Sequence, residues 1–232
     1  MFRIAPGAAG AVGDRPVRRL SWVLAVLALA AFSPVPAPAH AQASAPAGQG
    51  GNAGVRERLA QPAVLRGTFE QRKQLKGFRN PLVSRGDFLL LRERGVAWDT
   101  TEPFASSTLL TRERLLTRLP DGSQRVVLDA ATSPGMAAVN SLLMALVAGD
   151  VDALATQFHT EEILSPDGRW MLRLQPKEAA LARVFRRITL RGDRFVREVE
   201  IEEAAGDLTS LRFLTLVDQP AAPTAAEAAR FD

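Results

Sequence analysis

Apolar and polar side chains alternate through residues 67–111, which predicts four consecutive β-strands separated by turn residues. One run within this stretch, Phe88–Leu91, is apolar at every position, and such runs are typical of strands buried on both faces. Asn80–Pro81 and Glu102–Pro103 supply turn signals on either side of it. The stretch therefore predicts an apolar surface that carries few groups able to do catalysis.

The second half of the chain predicts more strands of the same kind. A hairpin is indicated over 115–128, around a Pro-Asp-Gly-Ser turn. Four further alternating runs complete the domain, at 169–175, 184–191, 195–201 and 208–217. Strands of regular spacing joined by tight turns favour a meandering antiparallel sheet, curled or barrel-like. The fold class is therefore α+β, mostly β.

Between the two sets of strands, the apolar period changes to that of a helix. Apolar residues at helical spacing predict an amphipathic helix over Met136–Val147, with Ser133–Pro134 at its start and Gly149 past its end. A second short helix is predicted to begin after Asp150, its N-cap. This spacing is compatible with two roles for the helix: a movable cover over the apolar face of the sheet, or a permanent part of the core.

The two ends of the chain differ in composition from the middle. Residues 1–41 contain a cluster of arginines, an apolar run of about thirteen residues and the small-x-small sequence Ala39-His40-Ala41, which together predict a cleavable signal peptide. The apolar run is shorter than the ~20 residues of a membrane-spanning helix, although an uncleaved anchor is the alternative. Residues 42–54 predict a flexible linker and 218–232 a disordered tail, so the domain is 55–217.

Charge and cysteine content narrow the class of protein. Residues 1–41 hold four of the 29 basic residues and one of the 25 acidic ones, which leaves 25 and 24 in the mature chain. This near balance, without clustered Lys/Arg and stacking aromatics, argues against a nucleic-acid partner. The chain has no cysteine, which excludes a disulfide framework and a lipid-modified cysteine anchor. We predict an exported, periplasmic protein.

Candidate catalytic groups are few. The histidines are His40, which leaves with the signal peptide, and His159, which lacks the second histidine of a His-Glu-x-x-His zinc site. No Gly-x-Ser-x-Gly elbow or phosphate-binding glycine loop is present. Glu198, Glu200 and Glu202 fall at strand spacing, which indicates a solvated outer face rather than a paired-carboxylate site. We therefore predict no enzymatic activity, no cofactor and no metal site.

Several short motifs occur in an order that resembles one family. They are Phe69-x-Gln71, Gly86-x-Phe88, Arg94-Gly95-Val96-x-Trp98 and Pro103-Phe104. Together they resemble the periplasmic outer-membrane lipoprotein carriers, or LolA-like proteins, over about 55–217. The Pro81-Leu82-x-Ser84-x-Gly86 element places the chain in a divergent branch. The resemblance implies an incomplete, open antiparallel β-barrel with an α-helical lid over an apolar cavity.

The resemblance also implies a function. Such a protein shields the acyl chains of lipoproteins, or of another lipid, during transfer from the inner to the outer membrane. Its implied partners are an acylated protein or other lipid cargo, an inner-membrane transporter and an outer-membrane acceptor, with transient contact to the membrane surface and a monomeric state. The alternative is a non-catalytic envelope scaffold or interaction protein.

Candidate site residues follow from the apolar pattern and the resemblance. We expect the cavity to be lined by Phe69, Phe88, Leu90, Trp98, Phe104, Leu109, Leu115, Met136, Val139, Leu142, Leu143, Leu146, Trp170 and Leu172. In the family an arginine near the strand that leads to the tryptophan holds the lid shut by hydrogen bonds to its backbone. Arg92 or Arg94 matches that position. A guanidinium stays charged and has five donors, which suits helix-end carbonyls.

Overall fold

The computed structural model describes residues 53–119, 123–129 and 144–232, so the predicted signal peptide, most of the linker and most of the predicted 136–147 helix lie outside the described residues. Eleven strands within these ranges form one antiparallel sheet in the order β6-β5-β4-β3-β2-β1-β11-β10-β9-β8-β7. The end strands β6 and β7 do not pair with each other, so the sheet is open. The predicted, mostly β fold with an open sheet is confirmed.

The strands are β1 (Val64–Gln74), β2 (Leu82–Leu91), β3 (Gly95–Glu102), β4 (Ser106–Thr111), β5 (Arg114–Arg118), β6 (Gln124–Asp129), β7 (Phe158–Leu164), β8 (Trp170–Pro176), β9 (Phe185–Gly192), β10 (Val196–Glu203) and β11 (Leu208–Val217). The helices are α1 (Ala53–Arg58), α2 (144–148 in its described part), α3 (Val151–Gln157), α4 (Ala179–Ala182) and α5 (Ala225–Ala229). Strands β1–β6 and β7–β11 each form a meander, and the pairing of β1 with β11 joins the two.

The inner face of the sheet carries the larger apolar cluster, and strand alternation determines which residues point to it. Phe88 and Leu90 on β2 point to this face, and Leu172 and Leu174 on β8 point to the same face five strands away in the sheet order. The helices cover this face with Val55 of α1, Ala145 and Leu146 of α2, and Val151 and Leu154 of α3. The inner face with its helices is therefore the main core.

The turn between α2 and α3 has the geometry that its sequence predicts. Gly149 has φ +66°, a left-handed conformation that glycine adopts without strain. The Asp150 side chain accepts a hydrogen bond from the backbone N–H of Ala153 at 3.1 Å, which caps α3. The predicted N-cap and helix are confirmed, and the chain then enters β7 at Phe158.

The outer face is mostly charged. Arg173 pairs with Glu161 across β7 and β8, and Arg187 pairs with Glu202 across β9 and β10. On the first meander, Glu70 accepts hydrogen bonds from the guanidinium groups of Arg72 and Arg85. Cross-strand pairs of opposite charge suit a sheet face exposed to water.

A second apolar cluster interrupts that charged face. Leu89 and Leu91 of β2 join Val64 and Ala97 there, and Phe231 packs against them. The run 88–91 is thus buried on both faces, as its sequence predicted. The chain end that covers it was expected to be a disordered tail from its composition, and the structure instead gives 225–229 a helix.

The C-terminal segment, residues 218–232, is held by arginine contacts. Arg66 binds both carboxylate oxygens of Glu227, at 2.6 and 2.8 Å. Thr224 and Glu227 form a reciprocal capping box that starts α5. Arg230 binds Asp99 on β3 at 2.6 Å. These contacts are made across strands, so the composition of the segment alone could not indicate them.

Candidate functional site

Four aromatic side chains form the centre of the inner face. The ring centroids of Phe69 and Trp98 lie 4.2 Å apart, and Phe88 lies 5.8 Å from Trp98. Phe213 of β11 closes the group at 5.0 Å from Phe88. Gly67 leaves room for the Phe88 ring, because a Cβ at Gly67 would lie 2.7 Å from Phe88 Cε1. The cluster therefore requires a glycine on β1 beside an aromatic residue on β2.

A small cavity lies next to this aromatic cluster. It is bounded by the segment between α1 and β1, by strands β1, β2 and β11, by the end of α2, and by the start of β10. Its lining residues are Leu59, Ala60, Pro62, Leu65, Phe88, Leu90, Arg92, Val147, Ala148, Phe195, Val196 and Phe213. The enclosed volume is about 10 Å³, room for about one water, and the space including the open mouth is about 350 Å³. The cavity is therefore nearly closed.

Arg92 lies at the edge of this cavity. Its Nε donates to the carbonyl oxygen of Pro62 at 3.1 Å, and its backbone N–H donates to the carbonyl of Ala63 at 3.0 Å. Burial lowers the pKa of the Arg92 guanidinium below its ordinary value, and the nearby carboxylates of Asp150 and Glu93 oppose that shift. Arg92 therefore ties β2 to the chain that leads out of α1, close to the α2–α3 turn.

Arg94 lies in the turn between β2 and β3, and its side chain reaches the C-terminal segment. Its guanidinium donates to the carbonyl oxygen of Ala228 at 2.7 Å and to the Asp232 carboxylate at 3.0 Å. These groups belong to the C-terminal segment, so Arg94 anchors that segment rather than a cover of the inner face. Of the two arginines that the sequence left open for the gate, Arg92 is the one at the cavity.

The structure brings most of the other predicted site residues together. The inner-face cluster and its partly buried neighbours include Phe69, Phe88, Leu90, Trp98, Leu115, Leu146, Trp170 and Leu172. Met136, Val139, Leu142 and Leu143 lie outside the described residues. The predicted set is therefore placed on one face wherever the structure describes it, with two exceptions.

Those exceptions are Phe104 and Leu109. Phe104 is 65% exposed in the turn between β3 and β4, where no neighbouring strand can cover it. Leu109 pairs with Ala97 and packs in the outer cluster, while its neighbour Leu110 belongs to the inner one. In a Leu-Leu dipeptide, sequence alternation alone does not decide which leucine faces inward.

The sequence analysis missed Phe195, Val196 and Phe213 as cavity residues. Phe195 and Val196 begin the predicted run 195–201, and Phe213 lies in the middle of the last predicted strand. Each was recognisable as an apolar strand residue. Their place at the cavity depends on the pairing of the last strand with the first, which sequence patterns do not specify.

Among the described residues there is neither a candidate metal site nor a candidate membrane-spanning helix. Within them, no group of three or more His, Asp and Glu side chains could hold a metal ion. No helix in the same residues is long and apolar enough to cross a membrane. His159 lies exposed on the edge strand β7. This is the position of a surface residue.

A family profile described as outer membrane lipoprotein carrier protein LolA-like matches residues 43–231. The chain belongs to the LolA-like family. The match extends to within one residue of the C-terminus, so it includes the segment that carries α5. A search of curated protein sequences gives no match to this LolA-like chain.

Solved structures similar to this LolA-like chain share low sequence identity with it. A LolA superfamily protein from Nitrosomonas europaea is 12% identical, with 71% of this chain and 90% of that chain covered and a TM-score of 0.39. A putative outer membrane lipoprotein-sorting protein domain from Vibrio parahaemolyticus is 10% identical, with 77% and 96% covered and a TM-score of 0.40. The MucA/MucB complex of Pseudomonas aeruginosa is matched at 16% identity, with 76% and 60% covered and a TM-score of 0.41.

Proposed function

We propose that this LolA-like protein is a non-catalytic periplasmic carrier that shields acyl chains against the inner face of its sheet. The cargo is the lipid part of a lipoprotein or another acylated lipid, taken from an inner-membrane transporter and passed to an outer-membrane acceptor. Export through the signal peptide predicted at 1–41 and a monomeric state belong to the same proposal. The observation that supports this proposal is an apolar inner face covered by short helices, with a cavity where the helices meet the sheet.

The covering helices are short enough to be displaced. α1 has six residues and α3 has seven, and isolated helices of that length are not stable in water. Their position depends on side chains such as Val55 and Leu154 that pack on the sheet. The Gly149 turn lets the end of α2 change direction without a steric cost. These features support a cover that can move away from the inner face.

The energies of the exchange are nearly balanced, so loading and release are both possible. An acyl chain of about 15 methylenes gains on the order of 10 kcal/mol when it is buried, at ~0.8 kcal/mol per methylene. Removing Leu146 and Val147 from the apolar cluster costs about 3–6 kcal/mol, at about 1.5–3 kcal/mol per side chain. Bound acyl chains could therefore replace the helix contacts, and membrane insertion, which gives a similar gain, could take the chains back.

Arg92 is the group we propose as the gate. Its side chain joins β2 to the Pro62 carbonyl on one wall of the cavity, while Asp150 and Glu93 supply the facing charges. We expect Arg92→Leu to slow release of bound lipid, because leucine removes this tie and adds apolar surface to the cavity. Arg94→Leu is the matched control and should leave release unchanged. Equal release from the wild type, Arg92→Leu and Arg94→Leu would show that Arg92 is not a gate.

Contact with the membrane surface is supported at one end of the sheet. Phe78 and Phe104 are 66% and 65% exposed. They lie in the β1–β2 and β3–β4 turns, which are at the same end because the strands run antiparallel. Exposed aromatic residues suit the membrane–water interface, and Lys76 and Arg79 beside Phe78 suit anionic headgroups.

The direct test is lipid binding by the mature protein. We expect co-purifying lipid in native mass spectrometry, and displacement of a fluorescent fatty acid by an acylated peptide. No co-purifying lipid and no probe binding would overturn the carrier proposal and favour the envelope scaffold.

A disulfide lock tests the route of entry. A Cβ at residue 149 would lie 3.2 Å from Val196 Cγ2, so Gly149→Cys and Val196→Cys place two thiols within reach of each other, at the cost of left-handed backbone strain at residue 149 (φ +66°). The chain has no other cysteine, so the two thiols can pair only with each other within one molecule. We expect the oxidised protein to bind the fatty-acid probe weakly and the reduced protein to bind it normally. Equal binding in both states would exclude entry beside α2.

A further inference from the structure

One part of the inner face is lined by hydroxyl groups rather than apolar side chains. Trp98, Leu110 and Leu115 face inward on β3, β4 and β5. Because side chains alternate along a strand, residues two positions away face the same side. Those positions hold Thr100, Thr108 and Thr117, all buried. The threonine row, as we name these three residues, is continuous with the aromatic cluster.

The strand register brings the row together. Trp98 pairs with Thr108, and Thr108 pairs with Thr117. The hydroxyl oxygens of Thr108 and Thr117 lie 3.3 Å apart, so one donates to the other. Thr100 follows two residues after Trp98, one step nearer the turn that holds Phe104. The row therefore lies toward the end of the sheet where the exposed phenylalanines are, away from the Arg92 cavity.

Thr100 has hydrogen-bonding capacity that the fold does not use. Its side chain is 5% exposed, and in the described part of the chain its Oγ1 has no hydrogen-bond partner. A hydroxyl has one proton to donate and two lone pairs, and leaving such a group unpaired in a buried position is unfavourable. Unpartnered buried polar groups are rare in folded proteins and call for a ligand or another explanation.

We propose that the threonine row is a subsite for the carbonyl oxygens of acyl esters, with Thr100 as the main donor. This inference rests on the carrier function proposed above and adds a preference within it. A hydrocarbon tail cannot accept a hydrogen bond, whereas the ester that joins each tail to glycerol can. With the esters at the threonine row, the tails run past the aromatic cluster toward the Arg92 cavity. The glycerol end then points to the end of the sheet where Phe78 and Phe104 lie.

Matched lipids test the subsite. Diacylglycerol and its dialkyl ether analogue have the same tails, but the ether has no carbonyl oxygen. We expect the wild-type protein to bind the ester about fivefold more tightly, the usual effect of one buried hydrogen bond. Thr100→Val keeps the shape of the side chain and should remove that preference by weakening ester binding alone. A diacylglyceryl-cysteine peptide, measured beside diacylglycerol, distinguishes a lipoprotein source of the ester from a free glycerolipid.

Two controls separate this inference from the function on which it rests. Thr189 on β9 is equally buried but lies between inward-facing Ile188 and Leu190, so Thr189→Val should keep the ester preference. Because the Thr100 hydroxyl is unpartnered, Thr100→Val should not lower the melting temperature. Equal binding of ester and ether by the wild type, or an unchanged preference in Thr100→Val, would overturn the subsite alone. Failure of both lipids to bind the wild type would overturn the carrier function as well.

Discussion

Glu227 gives a sharp test of how the C-terminal segment is held. Its carboxylate binds Arg66 through both oxygens and also accepts from the Thr224 backbone N–H at 2.7 Å. Glu227→Ala removes the ion pair, which contributes about 1 kcal/mol at a partly buried site, and the capping box, which contributes about 1 kcal/mol. We expect the free energy of unfolding at pH 7 to fall by about 2 kcal/mol.

The pH dependence of that loss has a definite sign. Donation from the Arg66 guanidinium lowers the pKa of Glu227 from its ordinary 4.5 to about 2. A carboxylate with a lowered folded-state pKa stabilises the fold fully above pH 4.5, and this contribution is lost as the pH falls toward 2. The difference between wild type and Glu227→Ala should therefore shrink between pH 5 and pH 3, while the neutral part of the cap remains.

Urea unfolding of both proteins at several pH values measures this difference. Glu161→Ala is the control, because the Glu161–Arg173 pair is exposed and should contribute less than about 0.5 kcal/mol. A Glu227→Ala effect no larger than the control, or one that does not change with pH, would contradict the role assigned to the Arg66 contact.

Three further outcomes are expected. Gly86→Ala should destabilise the protein by more than about 3 kcal/mol in thermal melts, since its Cβ would lie 1.9 Å from a backbone oxygen of β3; a melting temperature near that of wild type would contradict this. Lys73→Met should cost about 3 kcal/mol by leaving the Glu203 carboxylate without its 2.7 Å partner, and adding Glu203→Gln should restore part of the loss. Replacing Phe78 and Phe104 by serine should reduce sedimentation with anionic vesicles and leave the melting temperature unchanged, because both side chains are exposed; unchanged sedimentation would remove this end of the sheet as the membrane contact.

Local patterns predicted most of the strands. Alternation identified β1, β2 and four of the five strands of the second meander, because a half-buried strand must repeat with period two. The first strand of that meander, β7 (Phe158–Leu164), was not predicted. The Asp150 cap and the helix after it were also readable, since capping depends on residues three positions apart. For the candidate site, the same alternation predicted Phe69, Phe88 and Trp98, each of which lies in or against the inner cluster.

The remaining features depended on contacts between residues far apart in the chain. The β1–β11 pairing brings Phe213 to Phe69, and neither strand contains a signal for that partner. Arg92 and Arg94 both lie in the turn between β2 and β3, where strand alternation does not decide orientation, and only the folded chain puts one at the cavity and the other against the C-terminal segment.

The sequence by itself determined most of the segments that become strands, the apolar face of most of them, and that one run is apolar on both faces. Only the tertiary structure decided what covers those faces, because a cover is specified by contacts between distant segments. The packing of Phe231 against Leu89 and Leu91, and the unpartnered hydroxyl of Thr100, arise from such contacts. No local propensity encodes them.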